Sequence, residues 1–179
     1  MLITALNIKA VFFVPYTLNI KGKSMAAQEK VINQILVHLF NDLLRIEENT
    51  LRQEGVLGLS IREIHIIEAV CAATEADSHM SALAARLRVT VGSLTVAVNT
   101  LVRKGYLDRQ RSQADKRRVH VFPTEAARAV ELCHRAYHQR MTGAVMAAVP
   151  PEKLDTFIQG LMAVNDYFYD QETLKEDQP

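Results

Sequence analysis

Glycine and proline are scarce, seven and five among 179 residues, and with 49% hydrophobic content this suits a compact, mostly helical soluble protein. The length allows one domain with a full core and an added dimerisation layer. Only two cysteines occur, Cys71 and Cys133. They exclude a disulfide framework and point to a reducing cytoplasm. Long apolar runs are missing too. The stretch Ala10-Val11-Phe12-Phe13-Val14 is bracketed too closely by Lys9 and Pro15 for a membrane span, and it fits a signal peptide poorly. No membrane partner is expected. There is no H-E-x-x-H pair, no phosphate-binding glycine loop and no serine or cysteine nucleophile motif, so an enzyme finds little support.

Net charge is almost absent as well, at +1, but the total conceals a division. Between Arg86 and Arg118, nine basic residues stand against two acidic ones, Asp108 and Asp115, a net of +7. The remainder carries twelve basic and eighteen acidic residues and sums to −6. A polyanion is drawn to one end of such a molecule and repelled from the other.

Helical spacing starts at Gln28, with Val31, Ile35, Leu39, Leu43 and Ile46 in a stripe too broad for one core face. A second surface, in another subunit, is expected to cover the excess. Met25 reads as the start of the fold. Residues 1–24 read as a poorly ordered extension, or as an arm packed on the partner. Ser60 and Glu63 have the form of a capping box for a second helix. After the polar connector 75–79, a short helix from Ala82 to Leu87, a turn at Arg88-Val89 and a helix from Thr90 to Lys104 form a helix-turn-helix. Gly105 stops it. The segments 106–111 and 119–122 alternate as two strands around a polar loop at 112–118, a wing. Helices follow over Glu125–Ala148 and Glu152–Tyr169, then a flexible acidic tail at 171–179. The fold class is mostly α with a small β-hairpin wing. The winged helix-turn-helix spans about 59–123, and dimerisation helices span about 28–53 and 125–169, within one domain over 25–170.

This order of elements resembles the MarR family of dimeric transcription regulators over residues 30–170. The specific runs are Leu59-Ser60, Thr90 through Thr95, Leu101-Val102-Arg103-Lys104-Gly105-Tyr106-Leu107, Asp115-Lys116-Arg117 and Thr124-Glu125. The FabT-type branch of fatty-acid synthesis repressors is closer, through Ile46-Glu47-Glu48, Leu59 to His65 and Asn99 to Tyr106. Pro123 and Ala126-Ala127 depart from that branch, which usually carries Leu and Lys-Gly there. With Leu94, Val98 and Leu101 facing the core, Thr90, Gly92, Ser93, Thr95, Val96, Asn99 and Thr100 face a duplex. No Arg or Lys precedes Arg103 in that helix, so an A·T-leaning palindrome with modest direct readout is expected. In the family a wing-tip Asp holds an Arg that enters the minor groove. The resemblance carries these roles to Asp115 and Arg117. Lys116, Arg118, Arg109 and Arg111 touch phosphates or steady the ribbon, and Arg86, Arg88 and Lys104 flank the helix ends.

The regulatory ligand is open at this point. The FabT-type resemblance implies a repressor of lipid synthesis genes whose co-repressor is an acyl chain on its carrier protein, with Leu39, Leu43, Leu44, Ile67 and Val70 lining the pocket. Other family members respond to phenolic ligands. His134 and His138 lie four apart on one helical face. Glu47, His65, His134 and His138 match the ligand positions of the family's zinc-uptake repressors, which gives zinc as the alternative effector. That branch's second metal site is not reproduced, because Gln53 and Ile64 stand where ligands are needed. His38, His79 and His120 read as interface, loop and wing residues. No cofactor is required by the principal reading. A metal-dependent hydrolase using Glu47 and the histidines, and a pure protein-interaction module, are further alternatives.

Overall fold

The computed structural model describes residues 24–111 and 118–176, with side chains described up to 170. The first helix, α1 (Met25–Gln53), crosses the boundary between two compact units, Met1–Leu43 and Leu44–Pro179. In the first unit, Ile32, Ile35, Val37, Leu39 and Phe40 are all exposed along the helix. Of the apolar stripe read from the sequence, Ile35 and Leu39 are exposed, Leu43 and Ile46 are half-buried and Val31 is buried.

The second unit holds the winged helix. Its α2 (Ile61–Cys71) begins at Ser60, whose hydroxyl takes the Glu63 N–H while the Glu63 carboxylate takes the Ser60 N–H. This is the expected capping box. The short helix α3 (Met80–Arg86) starts two residues earlier than its periodicity suggests. The reason is His79, whose Nδ1 accepts the Ala82 N–H at 3.2 Å and does the work of a cap. Arg88 then takes φ 53, the left-handed turn that separates the two helices. Thr90 caps α4 (Val91–Arg103) through the Ser93 N–H at 3.1 Å.

Gly105, at φ 79, ends α4 and feeds the hairpin β1 (Leu107–Arg111) and β2 (Val119–Pro123). The strands pair antiparallel, Leu107 opposite Pro123 and Arg109 opposite Val121. A third short segment joins them: His79 bridges His120, and the Val121 N–H donates to the Ser78 carbonyl at 2.9 Å. Thr124 caps α5 (Glu125–Ala148), and its hydroxyl also reaches the carbonyls of Gly105 and Tyr106 at 2.9 Å. The wing exit is thereby tied to the end of α4. After a 3-10 turn at Pro151–Lys153, α6 spans Leu154–Glu176. It continues through Gln171 to Glu176, a run of good helix formers that the sequence suggested as a frayed tail. Leu51, Ile64, Ile67, Leu83, Leu94, Val98, Leu101, Leu107 and Val121 fill one core beneath the helix-turn-helix.

Candidate nucleic-acid interface

Burying Leu94, Val98 and Leu101 fixes the rotation of α4 about its axis. The opposite face presents Gly92, Ser93, Val96 and Asn99 to solvent, with Thr95 and Thr100 partly covered. Val96 is 67% exposed, a bare apolar side chain amid polar ones. The threonine hydroxyls are already engaged: Thr95 donates to the Val91 carbonyl at 2.7 Å and Thr100 to the Val96 carbonyl at 3.2 Å. Arg103 in turn donates to the Thr100 hydroxyl at 3.1 Å.

Cations frame this face, and they differ in freedom. Arg86 and Arg111 are exposed at its margins, as is Arg118 at the start of β2. Arg88 stands 4.8 Å above the ring of Tyr169 from α6. Lys104 turns away from the face: its ammonium donates to Glu63 at 2.7 Å and to the Gly58 carbonyl at 2.7 Å. Arg109, on β1, donates to the Asn99 side-chain oxygen at 2.5 Å and to the Thr95 carbonyl at 3.3 Å. The wing and the reading helix therefore share a hydrogen-bonded seam. Asp115, Lys116 and Arg117 at the wing tip lie outside the described residues.

Behind the core sits a polar cluster. Glu47 (3% exposed) and His134 (1%) are among the few buried polar side chains. Glu47 Oε1 lies 2.6 Å from His134 Nε2 and 3.3 Å from His138 Nε2, and the two Nε2 atoms are 2.9 Å apart. Burial pushes the Glu47 carboxyl up, but the His134 hydrogen bond and the surrounding imidazoles outweigh it and hold the group below its ordinary value. Burial is likewise the main cause that lowers His65. Glu47, His65 and His134 offer ligand atoms within 4.8 Å of one another. All four residues named from the sequence thus meet in one place.

A sequence model of the MarR family matches residues 57–118. No curated protein matches the chain by sequence alone. Among solved structures, Streptococcus pneumoniae FabT in complex with DNA is 32% identical, with a TM-score of 0.72, covering 80% of this chain and 99% of FabT. The chain belongs to the MarR family. Two relatives at lower identity share the fold. One is the Staphylococcus aureus MepR–DNA complex, with 13% identity, TM-score 0.61 and coverage of 75% of this chain and 96% of MepR. The other is the zinc-responsive ZitR of Lactococcus lactis, with 21% identity, TM-score 0.58 and coverage of 77% and 99%.

As a MarR-family member the chain is a DNA-binding transcription regulator. Two features of its site escaped sequence reasoning. One is the Arg109–Asn99 bond, which joins residues on two elements; the strand register alone carries a hint of it, since Arg109 lies on the wing near the end of α4. The other is a cavity of about 510 Å³ lined by Arg62, His65, Ile66, Leu87, Leu94 and Ala97, between α2 and α4. Ile67 and Val70, expected to line an acyl pocket, are instead packed into the core at 0% and 2% exposure.

Proposed function

We propose that this regulator is a homodimeric repressor of lipid synthesis genes that grips an A·T-leaning palindrome and answers to an acyl ligand. The observation that carries it is the +7 segment built as a winged helix, together with 32% identity to a FabT crystallised on DNA. A single winged helix binds weakly, and two half-sites a turn apart call for a two-fold dimer. The exposed Phe157, Ile158, Leu161 and Met162 of α6 supply a surface of the right kind for that dimer. The family resemblance gives the minor-groove role to Arg117 and a supporting role to Asp115. Arg117→Ala is expected to weaken operator binding by about 1–3 kcal/mol, measured by gel-shift titration at moderate salt. Selection of bound genomic fragments tests the regulon: recovery of lipid-synthesis promoters supports the reading, and recovery of metal-transport promoters overturns it.

The α2–α4 cavity favours an effector with an apolar body and an acidic end, because Ile66, Leu87, Leu94 and Ala97 line it and Arg62 lies at its edge. A wedge there bears directly on the recognition helix, so binding shifts the population of DNA-competent dimers. A second reading rests on the buried Glu47 and His134 with the half-buried His65 beside them. Three imidazoles, counting His138, and one carboxylate are a fitting donor set for zinc, which would act as a cross-brace between α1, α2 and α5. Metal content of the purified protein, and operator affinity with and without a chelator, separate the two readings.

A further inference from the structure

We propose that Asn99 and Arg109 act as one composite reader that specifies a guanine in each half-site; this rests on the DNA-binding reading above. A guanidinium has donors and no acceptor. The amide oxygen of Asn99 must therefore be the atom facing Arg109, which leaves the amide –NH₂ directed elsewhere. No partner of that –NH₂ exists among the described residues. An asparagine free at both ends pairs with adenine by accepting from N6 and donating to N7. Here one lone pair of the accepting end is already taken by a cation at 2.5 Å, so an adenine amino group would have to take the other beside a guanidinium, which disfavours that pairing.

Guanine reverses the balance. Its major-groove edge offers two acceptors, N7 and O6, and no donor. The Asn99 –NH₂ and the remaining guanidinium hydrogens of Arg109 together present several donors to such an edge. The adjacent Thr95 and Thr100 hydroxyls do not compete, since their protons are bound to helix carbonyls. The absence of basic residues from the first turns of the recognition helix is thus made good by the wing. The reader spans two elements, and the Arg109 bond to the Thr95 carbonyl sets its angle. In an otherwise A·T-leaning operator one G·C pair becomes the discriminating position.

The test uses the full chain and duplexes selected from a random pool. The sites recovered are expected to share one guanine in each half. Replacing it with 7-deazaguanine, which lacks the N7 acceptor, weakens binding roughly ten- to hundredfold, whereas inosine, which keeps N7 and O6, does not. Asn99→Ala and Arg109→Ala each abolish preference at that same position, and the double variant loses no more than either alone. Arg109→Lys keeps the salt dependence of binding and loses the guanine preference. Both residues are exposed, and thermal melts check that the variants fold. Selected sites with no shared guanine, or two variants that relax different positions additively, overturn the composite reader while leaving the regulator a DNA-binding protein. Wild-type protein that binds no duplex overturns both.

Discussion

Glu63 performs two tasks with one carboxylate. It closes the capping box of α2 and holds Lys104 at the far end of α4. Burial raises its pKa, but the Lys104 hydrogen bond, the Ser60 N–H and the ammonium charge prevail, leaving it below the ordinary 4.5. A carboxyl depressed by folding stabilises the protein above its unfolded pKa, and that stability is lost as pH falls through the folded value. Glu63→Gln keeps a capping residue and removes the charge. It is expected to cost about 1 kcal/mol at pH 7, a modest figure because Lys104 is about a third exposed. The gap from wild type closes as pH falls from 4.5 through the lower folded value, in melts at successive pH values. Half of this was legible: Ser60 and Glu63 announce a cap at three-residue spacing. The Lys104 partnership was not, because 41 residues of chain separate the two and no periodicity encodes it. Lys104 read as a DNA contact for the same reason.

Element boundaries follow from caps and turns, and most were written in the chain. Thr90, Thr124 and Gly105 carry the chemistry that their positions require, so α4, α5 and the start of the wing fall where their residues suggest. Gly105 at φ 79 has open space around a would-be Cβ, so the penalty on Gly105→Ala is conformational alone. It is expected to be about 1–2 kcal/mol, seen as a lower denaturation midpoint with unchanged slope. His79 was less legible. An imidazole capping a helix looks like any loop histidine until Ser78 and His79 are seen paired beside β2. The Glu47, His65, His134 and His138 cluster was found through a resemblance and one i, i+4 spacing, and its closeness depends on three helices packing together.

Across the whole molecule, the +7 segment suits a polyanion and the exposed apolar side chains of α6 suit a partner subunit. Ile158 and Leu161 lie in a helix that the sequence assigns to dimerisation, and they are exposed at 50% and 51%. Leu161→Glu places a charge in that helix without disturbing the packed winged helix. Sedimentation is expected to find monomers at concentrations where wild type is dimeric. Operator affinity then falls at least about hundredfold, because avidity between half-sites is lost. A variant that stays dimeric with full affinity would put the joining surface elsewhere.

Arg88 holds the left-handed turn before the recognition helix and also rests over Tyr169 near the far end of α6. Such a contact is worth only about 0.5–1 kcal/mol, and it links the last helix of the chain to the turn before the recognition helix. One guanidinium cannot serve ring and phosphate equally. A phosphate contact by Arg88 would therefore have to draw it off that aromatic perch.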